Sequence, residues 1–269
     1  MRPVDMIAID LDDTLLRDDI SISEYTGEVL RKAGALGIRI VIATGRMFQA
    51  ARPWGQILRV GDVPMVVYTG ALTATCETGR ILMHDPLDRA VANDILAEGK
   101  KHGWYMQAYV NDRLLVPTME KRTRDYEKSC GVRAEVLGED FWHLEEDPTK
   151  LLVFEEDPQV MAQASQYMTD RFGGKVGHVK SKAAFFEMHR PGVSKGHALE
   201  MLCLRWGIPL SRVMTFGNSE NDLSMLSVTP WSFAVENAEP AVKEAARHVT
   251  DSNNHDGVAK AVVRYVLEA

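Results

Sequence analysis

Cysteine is scarce in this chain. The three present, Cys76, Cys130 and Cys203, are far apart, odd in number and without C-x-x-C spacing, which excludes both a disulfide framework and a cysteine zinc site. Basic residues are in deficit: 31 Lys and Arg stand against 38 Asp and Glu, a formal charge of -7 with a pI near 5.7, so a nucleic-acid phosphate backbone would be repelled. The five tryptophans, at positions 54, 104, 142, 206 and 231, are not interleaved with basic residues, which argues against base stacking. None of the eight histidines forms an H-x-x-x-H pair. No low-complexity tract and no internal repeat occurs. Nor is there a long hydrophobic run: Met6-Ile-Ala-Ile9 is cut off by Asp10, too short for a signal-peptide core or a membrane span. The expected location is therefore cytoplasmic, with no membrane and no nucleic acid as partner.

What remains is an ordinary globular composition, 45% hydrophobic and 26% charged, in 269 residues, enough for two unequal domains. The apolar run Val4 to Ile9 predicts a buried parallel strand that delivers Asp10 to its C-terminal edge, where open α/β sheets place ligands. Ser21 or Ser23 can cap a helix that runs to about Leu36; a second strand over 38–43 ends at Thr44-Gly45-Arg46, and a helix follows from Phe48 to Leu58. After a third strand over 65–68 and a hairpin around Glu77-Thr-Gly79, the texture changes to a mixed α+β stretch. Strand-helix alternation resumes with Lys195–Trp206 and Val213–Phe216. An inserted domain over about 85–186 within an α/β core of 1–84 and 187–269 is the simplest account.

Four short clusters carry chemistry. Asp10-Leu-Asp12-Asp13-Thr14 sets two carboxylates two residues apart just past a buried strand, which suits a nucleophile, Asp10, and an acid/base, Asp12. A calcium loop is excluded, because Leu15 stands where the sharp-turn Gly belongs and Ser21 where the bidentate Glu belongs; a solvated acidic turn is the other reading. Thr44-Gly45 offers a hydroxyl and a closely approachable backbone N–H to a phosphate oxygen. Arg46 beside them can touch substrate or pair with a core carboxylate. Lys195, at a predicted helix start, can neutralise a transferring phosphoryl group, and Gly217-Asn-Ser-Glu-Asn-Asp222 offers oxygen ligands to a hard cation such as Mg²⁺.

Taken in order, these clusters resemble the four motifs of the haloacid dehalogenase-like (HAD) superfamily. Gly192-Val-Ser-Lys195-Gly, Asn221-Asp-Leu-Ser-Met-Leu226, Asn237-Ala238 and Asp256-Gly-Val-Ala259 are similar to its Cof-type sugar-phosphate phosphatases. The resemblance implies a Rossmann-like three-layer α/β core, with residues 85–186 as an α+β cap that closes over the site and selects the substrate. It implies Asp10 as nucleophile and metal ligand, Asp12 as acid/base and as a metal ligand through its backbone carbonyl, and Thr44 with Gly45 as phosphate binders. Lys195 would hold Asp10 and the phosphate, while Asn221 and Asp222 would support the metal and the lysine.

Two positions depart from the pattern. The family usually has Asp, the direct acidic ligand to Mg²⁺, where this chain has Asn218, and often Asn where it has Thr69. An amide oxygen still suits a hard cation, but one negative charge is missing, so weaker Mg²⁺ binding is expected than in an Asn218→Asp variant. The expected activity is a Mg²⁺-dependent phosphomonoesterase acting on a small phosphorylated metabolite, by a monomer or small homo-oligomer. The alternatives are a phosphomutase or phosphotransferase, and a non-catalytic ligand-binding protein with a weakened metal site.

Overall fold

The computed structural model describes residues 4–268. In chain order the first elements are β1 (Met6–Asp10), α1 (Glu24–Ala35), β2 (Arg39–Ala43), α2 (Phe48–Leu58), β3 (Pro64–Val67), β4 (Leu72–Thr75) and β5 (Ile81–His84). Next come α3 (Arg89–His102), β6 (Met106–Val110), β7 (Arg113–Val116), α4 (Lys121–Cys130), β8 (Ala134–Val136), β9 (Lys150–Phe154), α5 (Pro158–Phe172), β10 (Gly177–Lys182) and β11 (Phe185–His189). The chain ends with α6 (Lys195–Trp206), β12 (Val213–Gly217), α7 (Leu223–Ser227), β13 (Trp231–Val235), α8 (Pro240–Ala245), β14 (His248–Thr250) and α9 (Gly257–Val262). Two compact units result. The first runs through Gly45, from Ala51 to Leu82 and from Ser194 onward; the second comprises Arg46–Ala50 and Met83–Val193.

The first unit is built on a sheet of order β14-β13-β12-β1-β2-β3-β4-β5. From β14 to β3 the pairings are parallel, and β4 turns back antiparallel on β3. All five residues of β1 and of β12 are buried. A parallel strand covered on both faces has no solvent side to mark with polar residues, which is why these segments read as continuous apolar runs. The chain steps outward from β1 to β2 and β3, then returns to the other side of β1 for β12, β13 and β14. That reversal between β1 and β12 is the switch point at which open α/β sheets bind ligands. Ile9 pairs with Phe216 and Asp10 with Ala43, so the residues that follow each strand leave the sheet at one edge. Ser23 caps α1 by accepting the Thr26 N–H at 3.0 Å, and the helix buries Val29, Leu30 and Ala33.

The second unit has a sheet of order β10-β11-β9-β6-β7-β8, antiparallel except for the β7–β8 pair. Alternation divides its two faces. Met106, Ala108, Leu151, Val153, Phe186 and Met188 form a core with Ile95 and Leu96 of α3, Met161 and Met168 of α5, and Phe141. The residues between them, Gln107, Tyr109, Lys150 and Glu187, are also buried and form a polar layer. Lys150 pairs with Glu187 at 3.0 Å, and the Tyr109 hydroxyl lies 2.9 Å from Gln107 Oε1.

The structure adds three elements to those expected from the sequence. β8 and β14 have three residues each, too few to show a period, and α9 follows the Asp256-Gly turn, where Asp256 has φ +60°. The second unit depends on its own core. Truncation of Phe141, which is fully buried there, is expected to cost about 3–5 kcal/mol. Denaturant unfolding of Phe141→Ala, followed by a probe in the second unit, checks this; a loss below about 1 kcal/mol contradicts it.

Candidate active site

β1 carries Asp10 to the sheet edge, and the chain then folds into a tight turn over Leu11–Leu15. The turn is held by burying Leu11, Thr14 and Leu15, which leaves Asp12 half-buried and Asp13 exposed with φ +57°. Asp10 itself is 5% exposed.

Lys195 arrives from the first turn of α6. Ser194 caps this helix, its hydroxyl accepting the His197 N–H at 3.1 Å. A turn over Tyr68–Gly70 packs onto the same helix start. A β-carbon at Gly70 would sit 2.3 Å from the Ser194 carbonyl oxygen, and φ there is +112°, so only glycine allows the approach. Lys195 is fully buried, and its Nζ donates to Asp10 Oδ1 at 2.6 Å and to Asp222 Oδ1 at 2.7 Å.

Asp222 is buried as well, and its second oxygen accepts the backbone N–H groups of Asn218 at 2.9 Å and Ser219 at 3.1 Å. That fold-back brings its side chain to where a β-carbon on Gly217 would stand, 2.5 Å from Asp222 Cβ. Nearby, Ser219 Oγ donates to Asn221 Oδ1 at 2.8 Å.

Thr44 is buried; its N–H donates to the Val66 carbonyl at 2.8 Å and its carbonyl accepts the Thr69 N–H at 3.1 Å. A β-carbon on Gly45 would lie 3.4 Å from Thr69 Oγ1 and 3.7 Å from Asn221 Nδ2. Gly45, Thr69 and Asn221 therefore share one corner of the first unit. Arg46 groups with the second unit and is half-buried.

One ammonium faces two carboxylates here. Burial, and then the neighbouring Asp222 charge, push Asp10 up to about 7 against the opposing pull of Lys195. Burial disfavours the charged form of Lys195, but Asp10 and Asp222 more than reverse this and raise its pKa. The lysine therefore stays protonated, and whenever Asp10 ionises beside Asp222 one surplus negative charge has to be stabilised.

Asn218 stands at that surplus. Its terminal amide lies 3.1 Å from Asp10 Oδ2, 3.1 Å from the Asp12 main-chain oxygen and 3.0 Å from Thr14 Oγ1. With its nitrogen turned toward them, the amide has two N–H donors to share among three acceptors within reach. With its oxygen turned the same way, three oxygens converge, the donor set that a hard cation requires. The residues thus fit Mg²⁺ in one of two amide orientations. Among the described residues no three His, Cys, Asp or Glu side chains form a metal-holding group. The oxygens here come instead from a carboxylate, a main-chain carbonyl and an amide. Thr14, which hydrogen-bonds Asn218, belongs to the constellation although only its place in the Asp10–Thr14 cluster marks it in the sequence.

Residues 7–262 match the family of haloacid dehalogenase-like hydrolases, and the chain belongs to that family. It is similar to the 5-amino-6-(5-phospho-D-ribitylamino)uracil phosphatase YitU of Bacillus subtilis, 28% identical with 97% of each chain covered. It is also similar to the pyridoxal phosphate phosphatase YbhA of Escherichia coli, 25% identical over 97% of this chain and 98% of that one. The crystal structure of TM0651 from Thermotoga maritima superposes with a TM-score of 0.86 at 29% identity, covering 97% of both chains. The chain is accordingly an enzyme, a HAD-type phosphatase with the α/β fold of its class. Phosphatases of this family are generally metal-dependent. Among the described residues no helix is long and apolar enough to cross a membrane.

Removing Lys195 would leave Asp10 and Asp222 buried without their shared cation. Lys195→Met is expected to lower stability at neutral pH by about 3–5 kcal/mol, read by urea denaturation; a variant as stable as wild type contradicts the assignment of Lys195 as the charge that holds this site together.

Proposed function

We propose that this chain is a Mg²⁺-dependent phosphomonoesterase that hydrolyses a small phosphorylated metabolite through an aspartyl phosphate on Asp10. The observation that carries the reading is the pair of contacts from Lys195 Nζ, 2.6 Å to Asp10 and 2.7 Å to Asp222, with Asp12 two residues from Asp10. A nucleophile, a buried cation beside it and a more exposed carboxyl at the same strand end are the groups this chemistry needs.

In the first step an ionised Asp10 oxygen attacks phosphorus while the ester P–O bond breaks, and the carboxyl of Asp12 gives its proton to the leaving alkoxide. In the second, Asp12 takes a proton from water, the resulting hydroxide attacks phosphorus, and the Asp10–phosphate bond breaks to release inorganic phosphate. Lys195 balances the negative charge on Asp10 and the phosphoryl oxygens, while Thr44 and Gly45 are the phosphate-binding corner. Asp10, the Asp12 carbonyl and Asn218 would hold Mg²⁺, which when bound adds positive charge against the phosphoryl oxygens. Asn221 and Asp222 support that arrangement, and Arg46 is a substrate contact.

The substrate class rests on the relatives. YitU and YbhA are named for phosphate esters of small metabolites, one a ribityl phosphate and one pyridoxal phosphate, which supports a sugar phosphate or cofactor-like phosphate here. The insert, residues 85–186, is assigned the part of a substrate-selecting cap; its own sheet and core support an independent module.

Asp10→Asn is expected to reduce turnover of p-nitrophenyl phosphate to the uncatalysed background, and any substantial retained rate refutes the nucleophile. Asp12→Ala is expected to lower kcat by about 10²–10⁴. Acid-quenched labelling with ³²P substrate should trap phosphate on Asp12→Ala and none on Asp10→Asn; label on both would place the nucleophile elsewhere.

A further inference from the structure

Asn218 stands against Asp10 and the Asp12 carbonyl, and its contacts point to a consequence beyond a missing charge. The amide lies 3.1 Å from both Asp10 Oδ2 and the Asp12 carbonyl oxygen, and Thr14 Oγ1 is 3.0 Å away. An aspartate at this position would bring only acceptors to Asp10 and the Asp12 carbonyl. Oxygens at such separations repel unless a proton or a cation lies between them. Asparagine can supply the protons itself, because its amide nitrogen carries two donors. The backbone of Asn218 is fixed independently, by its N–H to Asp222 Oδ2 at 2.9 Å and its carbonyl, which accepts the Glu239 N–H at 2.9 Å. Turning the amide over therefore exchanges its two ends with the main chain in place.

We propose that Asn218 closes the carboxylate site on itself: its amide bridges Asp10 Oδ2 and the Asp12 carbonyl, and a divalent cation enters only when that amide rotates to present oxygen. The inference rests on the metal site of the proposed function, but not on turnover. It makes folding independent of divalent metal in this chain and obliges a cation to displace two hydrogen bonds before it binds. Replacing Asn218 with Asp removes the donors, adds a charge and makes the cation a structural requirement.

The test compares wild type and Asn218→Asp by calorimetric Mg²⁺ titration and by thermal unfolding in EDTA and in Mg²⁺. Asn218→Asp is expected to bind Mg²⁺ at least about tenfold more tightly. It should also melt below wild type in EDTA and rise with Mg²⁺, while the wild-type midpoint barely moves. Equal or tighter Mg²⁺ binding by wild type, or an equal rise in its midpoint, overturns the proposal. Should Asn218→Asp not fold, wild type alone decides. In EDTA the Asn218 side-chain amide protons should exchange slowly by NMR and lose that protection in Mg²⁺, whereas fast exchange in EDTA overturns it. Because no readout uses substrate, an inactive enzyme would count against the phosphatase reading and leave this one standing.

Discussion

The ammonium of Lys195, shared between the buried carboxylates of Asp10 and Asp222, is the interaction on which the site depends. It joins three parts of the first unit that are distant in sequence: the end of β1, the start of α6 and the turn after β12. Two carboxylates buried side by side are unstable without a cation, and a buried lysine is unstable without carboxylates. Lys195 therefore pulls Asp10 toward its charged form against burial and the Asp222 charge, and the two carboxylates keep the lysine protonated. The same mutual requirement places a positive charge 2.6 Å from the oxygen that attacks phosphorus in the proposed reaction.

The scaffold supplies the precision. Parallel strands buried on both faces cannot slip without moving apolar side chains out of the core, so Asp10 and the Gly217–Asn218 turn leave the sheet at fixed points. Close backbone approach does the rest. Gly70 lets one turn pack onto the start of α6, and Gly217 lets Asp222 fold back under the next backbone N–H groups. The second unit stands on separate terms, with helices over one sheet face and a buried polar set, including Lys150 with Glu187, on the other.

Much of this was legible in the residues because local chemistry and global position coincide. An apolar run that ends in Asp10 reads as a buried strand reaching a ligand edge, and Lys195 reads as a helix start; both are local patterns, and both elements are present. The family's four clusters lie in order along the chain, and the structure brings Asp10, Lys195, Asp222 and Asn218 into direct contact. What could not be read is of another kind. That Asp222 gives one oxygen to Lys195 and the other to two backbone N–H groups is a matter of three-dimensional closure. The alternation of Gln107 and Tyr109 with Met106 and Ala108 shows two faces, but not that both are buried. Strands of three residues such as β14 exist because a neighbour offers its edge, and they carry no period of their own.

The charge at the site explains why an asparagine can stand at position 218, where the motif that the chain resembles has an aspartate. With Asp10 and Asp222 around one ammonium, the surplus is a single negative charge, and burial with the Asp222 neighbour already pushes Asp10 up to about 7. A third carboxylate at position 218 would raise that surplus to two and could be tolerated only with a bound cation. An amide adds no charge, and with its nitrogen inward it donates to the oxygen of Asp10 that Lys195 leaves uncovered. Hydrogen bonds to the ionised form of a carboxylate favour that form. With its nitrogen inward, Asn218 therefore stabilises the metal-free site by dipoles where an aspartate would need the full charge of a metal, and in the proposed scheme the same dipoles are what a metal must displace.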